Sequence, residues 1–148
     1  MSEFGGDFRV TLSFVGGDFT LVLPQGVLGE MLLDTPVAVL PRAPAWVQGL
    51  TSVRGDILPV LLLPHPWVPQ SQLADPKLIV FRRGKEAFAV RSDTAVNFDQ
   101  VRVQENLGPV NSASQMARYF GQRVVVGSSE HRGVEFDVMR WGRELGKR

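Results

Sequence analysis

Strict alternation of apolar and polar residues constrains this chain more than any other feature. Phe8, Val10, Leu12 and Phe14 alternate with Arg9, Thr11 and Ser13. A period of two puts every second side chain on one face, so the segment reads as a strand with one buried face. Gly16-Gly17-Asp18 supplies residues that tolerate positive φ, and the extended pattern resumes over 19–23. Residues 8–23 therefore predict a β-hairpin, stopped by Pro24. Further short strands are read at 50–53, 57–63, 78–81, 87–90, 96–103, 118–126 and 134–138, with turns at Arg54-Gly55-Asp56, Arg83-Gly84-Lys85 and Gly127-Ser128-Ser129. Residues 37–40 add a short strand closed by Pro41. About ten short strands with little helix predict an all-β protein of small barrels or curled sheets.

Three segments read differently. Residues 25–34 predict a short helix with Leu28, Met31 and Leu32 on one side, although Gly26 and Gly29 each cost about 1 kcal/mol there. Residues 44–49 read as a single helical turn capped by Gly49. Residues 64–77 hold four of the ten prolines and read as a surface connection, since proline lacks the N–H a ladder needs. The basic end, 140–148, is a short helix or a tail.

Composition removes several kinds of chemistry. Sixteen basic residues face fifteen acidic ones, a net charge of +1, which argues against a dedicated nucleic-acid binder. With no cysteine, disulfides, thiolate catalysis and Cys-based metal sites are impossible. The start lacks a basic region followed by an apolar run, and no apolar stretch nears the roughly 20 residues of a membrane helix. A cytoplasmic protein is expected.

Candidate catalytic groups are few. His65 lies between two prolines and His131 in a polar turn. Ser128, Ser129, Glu130 and His131 are consecutive, and adjacent residues point apart, so they form no triad. No G-x-S-x-G elbow, Walker loop or histidine pair at ligand spacing occurs. We expect no enzyme activity, no cofactor and no metal; a hydrolase using His131 is the weakest alternative. Arg82-Arg83-Gly84-Lys85 and the group Arg140, Arg143, Lys147 and Arg148 keep open a second alternative, a small barrel that binds single-stranded nucleic acid.

One segment narrows the function. Residues 43–60, Ala-Pro-Ala-Trp-Val-Gln-Gly-Leu-Thr-Ser-Val-Arg-Gly-Asp-Ile-Leu-Pro-Val, resemble the signature of the CheW family, the coupling proteins of bacterial chemosensory arrays. The likeness extends over roughly residues 8–142. It takes in the first hairpin, Leu28 with Glu30, the strands at 78–81 and 88–90, Tyr119-Phe120-Gly121, and the closing strand and helix at 134–141. It implies a single domain over 1–148 made of two interlocked, five-stranded, SH3-like β-barrel subdomains sharing a hydrophobic core. The switch between them is expected near 64–77, with tails fraying at 1–7 and 143–148.

The resemblance also implies partners. The groove between the subdomains would receive the cytoplasmic tip of a chemoreceptor, and the subdomain ends would meet the regulatory domain of a CheA-type histidine kinase. Nucleic acid is not expected, and the membrane would be met only through the receptor. Carried over by position, Leu28 and Phe98 are groove contacts or core, and Glu30 with Arg54 forms a pair bordering the groove, as a partner contact or a brace. Trp46, Gly49, Gly55 and Pro59 are structural, with Pro59 suiting a strand that passes between barrels. Trp67 has no family counterpart and, if exposed, is a partner anchor. Ser52 replaces the family's asparagine, and Leu62-Leu63-Pro64 stands where an aspartate-leucine opens a helix. These departures mark a divergent member, of the pilus-motility branch or a paralogue that keeps only one partner.

Overall fold

The computed structural model describes residues 7–14, 20–33, 35–44, 46–63, 77–92, 94–103, 115–127 and 131–145. Ten strands form two sheets. Strands β1 (Asp7–Phe14), β2 (Thr20–Val22), β8 (Thr94–Val103), β9 (Phe120–Val126) and β10 (His131–Phe136) close into a barrel in the order β1-β2-β10-β9-β8. Strands β3 (Leu28–Leu32), β4 (Val47–Val53), β5 (Asp56–Leu62), β6 (Lys77–Arg83) and β7 (Glu86–Ser92) form a second sheet in the order β3-β6-β7-β5-β4. A 3-10 turn at Gln115–Tyr119 precedes β9, and one helix, α1 (Val138–Leu145), follows β10.

The expected all-β architecture of two five-stranded units is present, with one unit closed and the other a sheet whose edges are β3 and β4. The chain leaves the barrel after β2 and returns to it with β8, after β7. The proline-rich segment 64–76 therefore joins β5 to β6 within one sheet. It marks a connection and not the passage between units, because missing N–H groups end a strand wherever it lies. Trp67 and His65 lie outside the described residues, as do residues 1–6. Helix α1 continues to Leu145, three residues into the segment expected to fray.

One core serves both units. Leu12, Leu21, Val134 and Phe136 from the barrel meet Leu61, Ile79, Phe81, Phe88 and Val90 from the second sheet, with Val138, Met139 and Trp141 of α1 between them. Phe88 and Phe136 flank Trp141 at 6.2 Å each. Such tilted aromatic contacts add about 0.5–1.5 kcal/mol beyond burial. The barrel interior holds a small valine cluster of Val22, Val101, Val124 and Val126. Polar side chains stand beside it: Thr11 donates to Asp99 at 2.7 Å, and Arg9 donates to Asp7 and Glu135 at 2.7 and 3.0 Å.

Two expected helical segments are not helical. In the segment expected to be a helix over 25–34, residues 25–32 form a turn and a strand. Val27 N–H donates to Pro24 O, Gly26 holds φ +85°, and β3 pairs with β6 from Leu28↔Arg82 to Leu32↔Leu78. Gly29 seats against Val10, where a Cβ would lie 3.0 Å from Cγ1, so the glycine that weakens a helix lets one sheet approach the other. Gly49 does not cap a helix either. It lies at a register shift in β4 with φ +148°, and a Cβ there would overlap the carbonyl of Ala38. Residue 38 makes only an isolated bridge to Leu50, in place of the strand expected at 37–40.

Trp46 is half-buried and packs on the shared core. Pro59 lies inside β5, opposite Leu50 of β4. Leu50 spends its N–H and C=O on Ala38, so it asks nothing of Pro59, and the ladder to β7 begins at Val60. Proline is accommodated there by local pairing, and β5 does not cross between the units.

Candidate functional site

Arg54 and Gly55 make the two-residue turn between β4 and β5, with φ of 49° and 88°. Positive φ at both positions is the geometry of a type I′ hairpin, which favours Asn, Asp or Gly over arginine. The arginine side chain reaches across the open side of the sheet to β3. Its Nη1 and Nη2 donate to Glu30 Oε1 and Oε2 at 2.8 and 2.6 Å. Since β3 and β4 are the two edges of the sheet, this bidentate pair spans the seam between them. The hydrogen bond from Arg54 holds the Glu30 carboxyl below the usual glutamate range, against a smaller opposing effect of burial. Asp56 and Arg82 lie beside the pair, 3.7 Å apart.

Leu28 sits next to this charged frame, opposite Arg82 in the register and 65% exposed. It is therefore not a core residue. Phe98 on β8 is also 65% exposed. The two flank the line where the units meet, because Gly29, the neighbour of Leu28, packs on Val10 and Val96, which adjoin Phe98 on the same strand face. The structure thus brings Leu28, Glu30 and Arg54 together and sets Phe98 across the seam from them.

Sequence reasoning missed several exposed apolar residues, Phe8 and Ile57 among them. Phe8 belongs to the alternating face of β1, yet it is 58% exposed and stacks on Phe98 with ring centroids 5.6 Å apart and planes 21° from parallel. The alternation assigns a face correctly but does not say where the neighbouring unit stops covering it. Ile57, beside the Arg54-Gly55 turn, is 72% exposed on the outer face of β5. Its place after a glycine turn was the only available signal.

A third feature lies near α1. Arg143 of the helix makes a bidentate pair with Glu86 of β7, at 2.8 and 3.1 Å, tying the barrel's helix to the second sheet. The Glu86 carboxyl is held below its usual range, chiefly by that hydrogen bond. His131 is exposed at the start of β10. Among the described residues no group of His, Asp or Glu has the geometry to hold a metal ion, and no helix is long and apolar enough to cross a membrane.

A closed barrel and an open sheet around one core, with exposed apolar side chains flanking their junction, define a double-β interaction module. The CheW-like domain family model matches residues 11–131, and the chain belongs to that family. A search of solved structures finds the scaffolding protein TtCheW from Thermoanaerobacter tengcongensis, with a TM-score of 0.62 at 18% identity, covering 89% of each chain. At that identity the likeness concerns the fold. Protein PilI of Pseudomonas aeruginosa is 40% identical over 47 residues, a match spanning 32% of this chain and 26% of PilI.

Proposed function

We propose that this chain is a non-enzymatic adaptor that couples a chemoreceptor to a CheA-type histidine kinase, in the branch that serves pilus motility. Family membership supports the chemosensory coupling role, and the local similarity to PilI supports the branch. The observation that carries the reading is the exposure of Leu28 and Phe98 on either side of the junction between units. Large apolar side chains left in water along such a junction suit a helical partner with an apolar stripe. In this reading the receptor tip lies along that junction, and the Glu30–Arg54 pair holds the groove wall in place. Ile57, exposed beside the Arg54-Gly55 turn, is the apolar contact offered to the kinase regulatory domain. The protein then sits at the cytoplasmic side of receptor arrays, meeting the membrane only through its partner.

Calorimetric titration of the purified protein against the receptor tip and the kinase regulatory domain of the same organism tests this. Saturable micromolar binding to both is expected. Arg54→Glu sets like charge beside Glu30 and weakens receptor binding while the fold persists. Unchanged receptor affinity in the folded variant refutes the role of the pair, and failure to bind either partner refutes the adaptor reading.

A further inference from the structure

Helix α1 holds β7 at two successive points. Arg143 and Glu86 form their bidentate pair at the surface. Two residues further along β7, on the same face, Phe88 lies against both Trp141 and Gly142. Gly142 presents bare backbone to that ring, since even a Cβ there would lie 2.5 Å from Cζ. The side chains of the pair are 44% and 46% exposed, so it adds little stability; its two parallel bonds fix the direction of the helix.

From Phe88 the contacts run on to β3. Phe88, Phe81 and Gly29 occupy one row across β7, β6 and β3, each the register partner of the next. The rings of Phe88 and Phe81 are buried, with centroids 5.9 Å apart. Phe81 then reaches Gly29, where a Cβ would lie 3.6 Å from its Cε1 and 3.0 Å from Val10 Cγ1. The row thus ends on a glycine at each side, Gly142 on the helix and Gly29 on the strand. Neither has a side chain whose rotation could absorb a displacement, and close-packed rings transmit strain. Gly29 is flanked by Leu28, exposed at the junction, and by Glu30, the partner of Arg54.

We propose that α1 sets the position of β3 at the junction, with Phe88 and Phe81 as positioning residues that carry a displacement from helix to strand. A change on the exposed side of α1, where Arg140 and Arg143 face water, is then felt as a shift of Leu28 and of the Glu30–Arg54 pair. A contiguous chain of packed side chains is one physical route for such coupling. A second route, from Trp141 through Phe136 into the barrel, bypasses Phe88, so Phe88 is the residue that tells the two apart. The consequence, control of the receptor contact from α1, rests on the adaptor reading; the coupling itself does not.

Chemical shifts of the isotope-labelled full chain test this without any partner. Arg143→Glu sets like charge against Glu86 and displaces the end of the helix. Amide shifts should then change at Leu28, Gly29 and Glu30 more than at Val101 and Val124 of the barrel interior, and most of all at the Gly29 Hα beside the Phe81 ring. Combining Glu86→Arg with Arg143→Glu rebuilds the pair with charges exchanged and should return those shifts. In a Phe88→Leu background, or in Phe81→Leu should the first not fold, Arg143→Glu should move α1 and leave β3 in place. Changes confined to α1 and β7, no return on the charge exchange, or equal propagation with the row interrupted would each overturn the coupling. Titration with the receptor tip should then show a severalfold change in affinity for Arg143→Glu. Unchanged affinity despite a moved β3 refutes control of the contact. Propagated shifts in a chain that binds no receptor tip uphold the coupling and refute the adaptor reading alone.

Discussion

Replacing Gly142 by alanine sets two known effects against each other. Gly142 lies in the interior of α1, where alanine is favoured over glycine by about 1 kcal/mol. A Cβ at that position would lie 2.5, 2.6 and 3.0 Å from Cζ, Cε1 and Cε2 of Phe88. The ring has little freedom to yield, being buried between Phe81 at 5.9 Å and Trp141 at 6.2 Å. Overpacking a tight core by one methyl costs about 1–3 kcal/mol. The difference leaves Gly142→Ala destabilised by about 1 kcal/mol, or about 2–4 °C in Tm for a chain of this length. Urea denaturation with the slope held constant measures it. Phe88→Leu removes the ring atoms that clash, so in that background the same alanine should stabilise by up to about 1 kcal/mol. The double-mutant cycle should therefore show favourable coupling. If Gly142→Ala stabilises the wild-type background by the full helix-propensity gain, α1 does not press on Phe88, and the account of the shared core is wrong.

Other perturbations follow from the same geometry. Gly49→Ala forces a Cβ onto the Ala38 carbonyl at an unfavourable φ; a loss of at least about 2 kcal/mol, or failure to fold, is expected from urea melts. Thr11→Val removes the 2.7 Å donor to Asp99 inside the barrel and should cost about 1–3 kcal/mol by the same assay. Because the folded state lowers the Glu30 pKa, its contribution is present above the unfolded value and lost as pH falls through the folded one. The stability gap between wild type and Glu30→Gln should therefore shrink as pH drops below the ordinary glutamate range, and a gap independent of pH would contradict the ion pair.

Local pattern was legible where local physics decides. Strands β1 and β8, and the Arg54-Gly55 turn, depend on side-chain period and backbone sterics within a few residues, and each is in place. Residues 25–34 misled because the spacing of Leu28, Met31 and Leu32 fits a helix when nothing else is present. The ladder to β6 and the fit of Gly29 against Val10 outweigh that weak preference. The candidate site was legible only by resemblance, since Glu30 and Arg54 are 24 residues apart and nothing local announces their pairing.

What the amino-acid order determined by itself is the all-β character, most of the strands and the positions where the chain reverses. The tertiary structure decided which sheet each strand joins, that β3 is a strand, that Gly49 sits against Ala38, and that Phe8 stands in water on the ring of Phe98. The reason is one of range. Period and turn preference act between near neighbours, whereas exposure and edge pairing depend on where a second sheet, distant in the chain, comes to rest and where its cover ends.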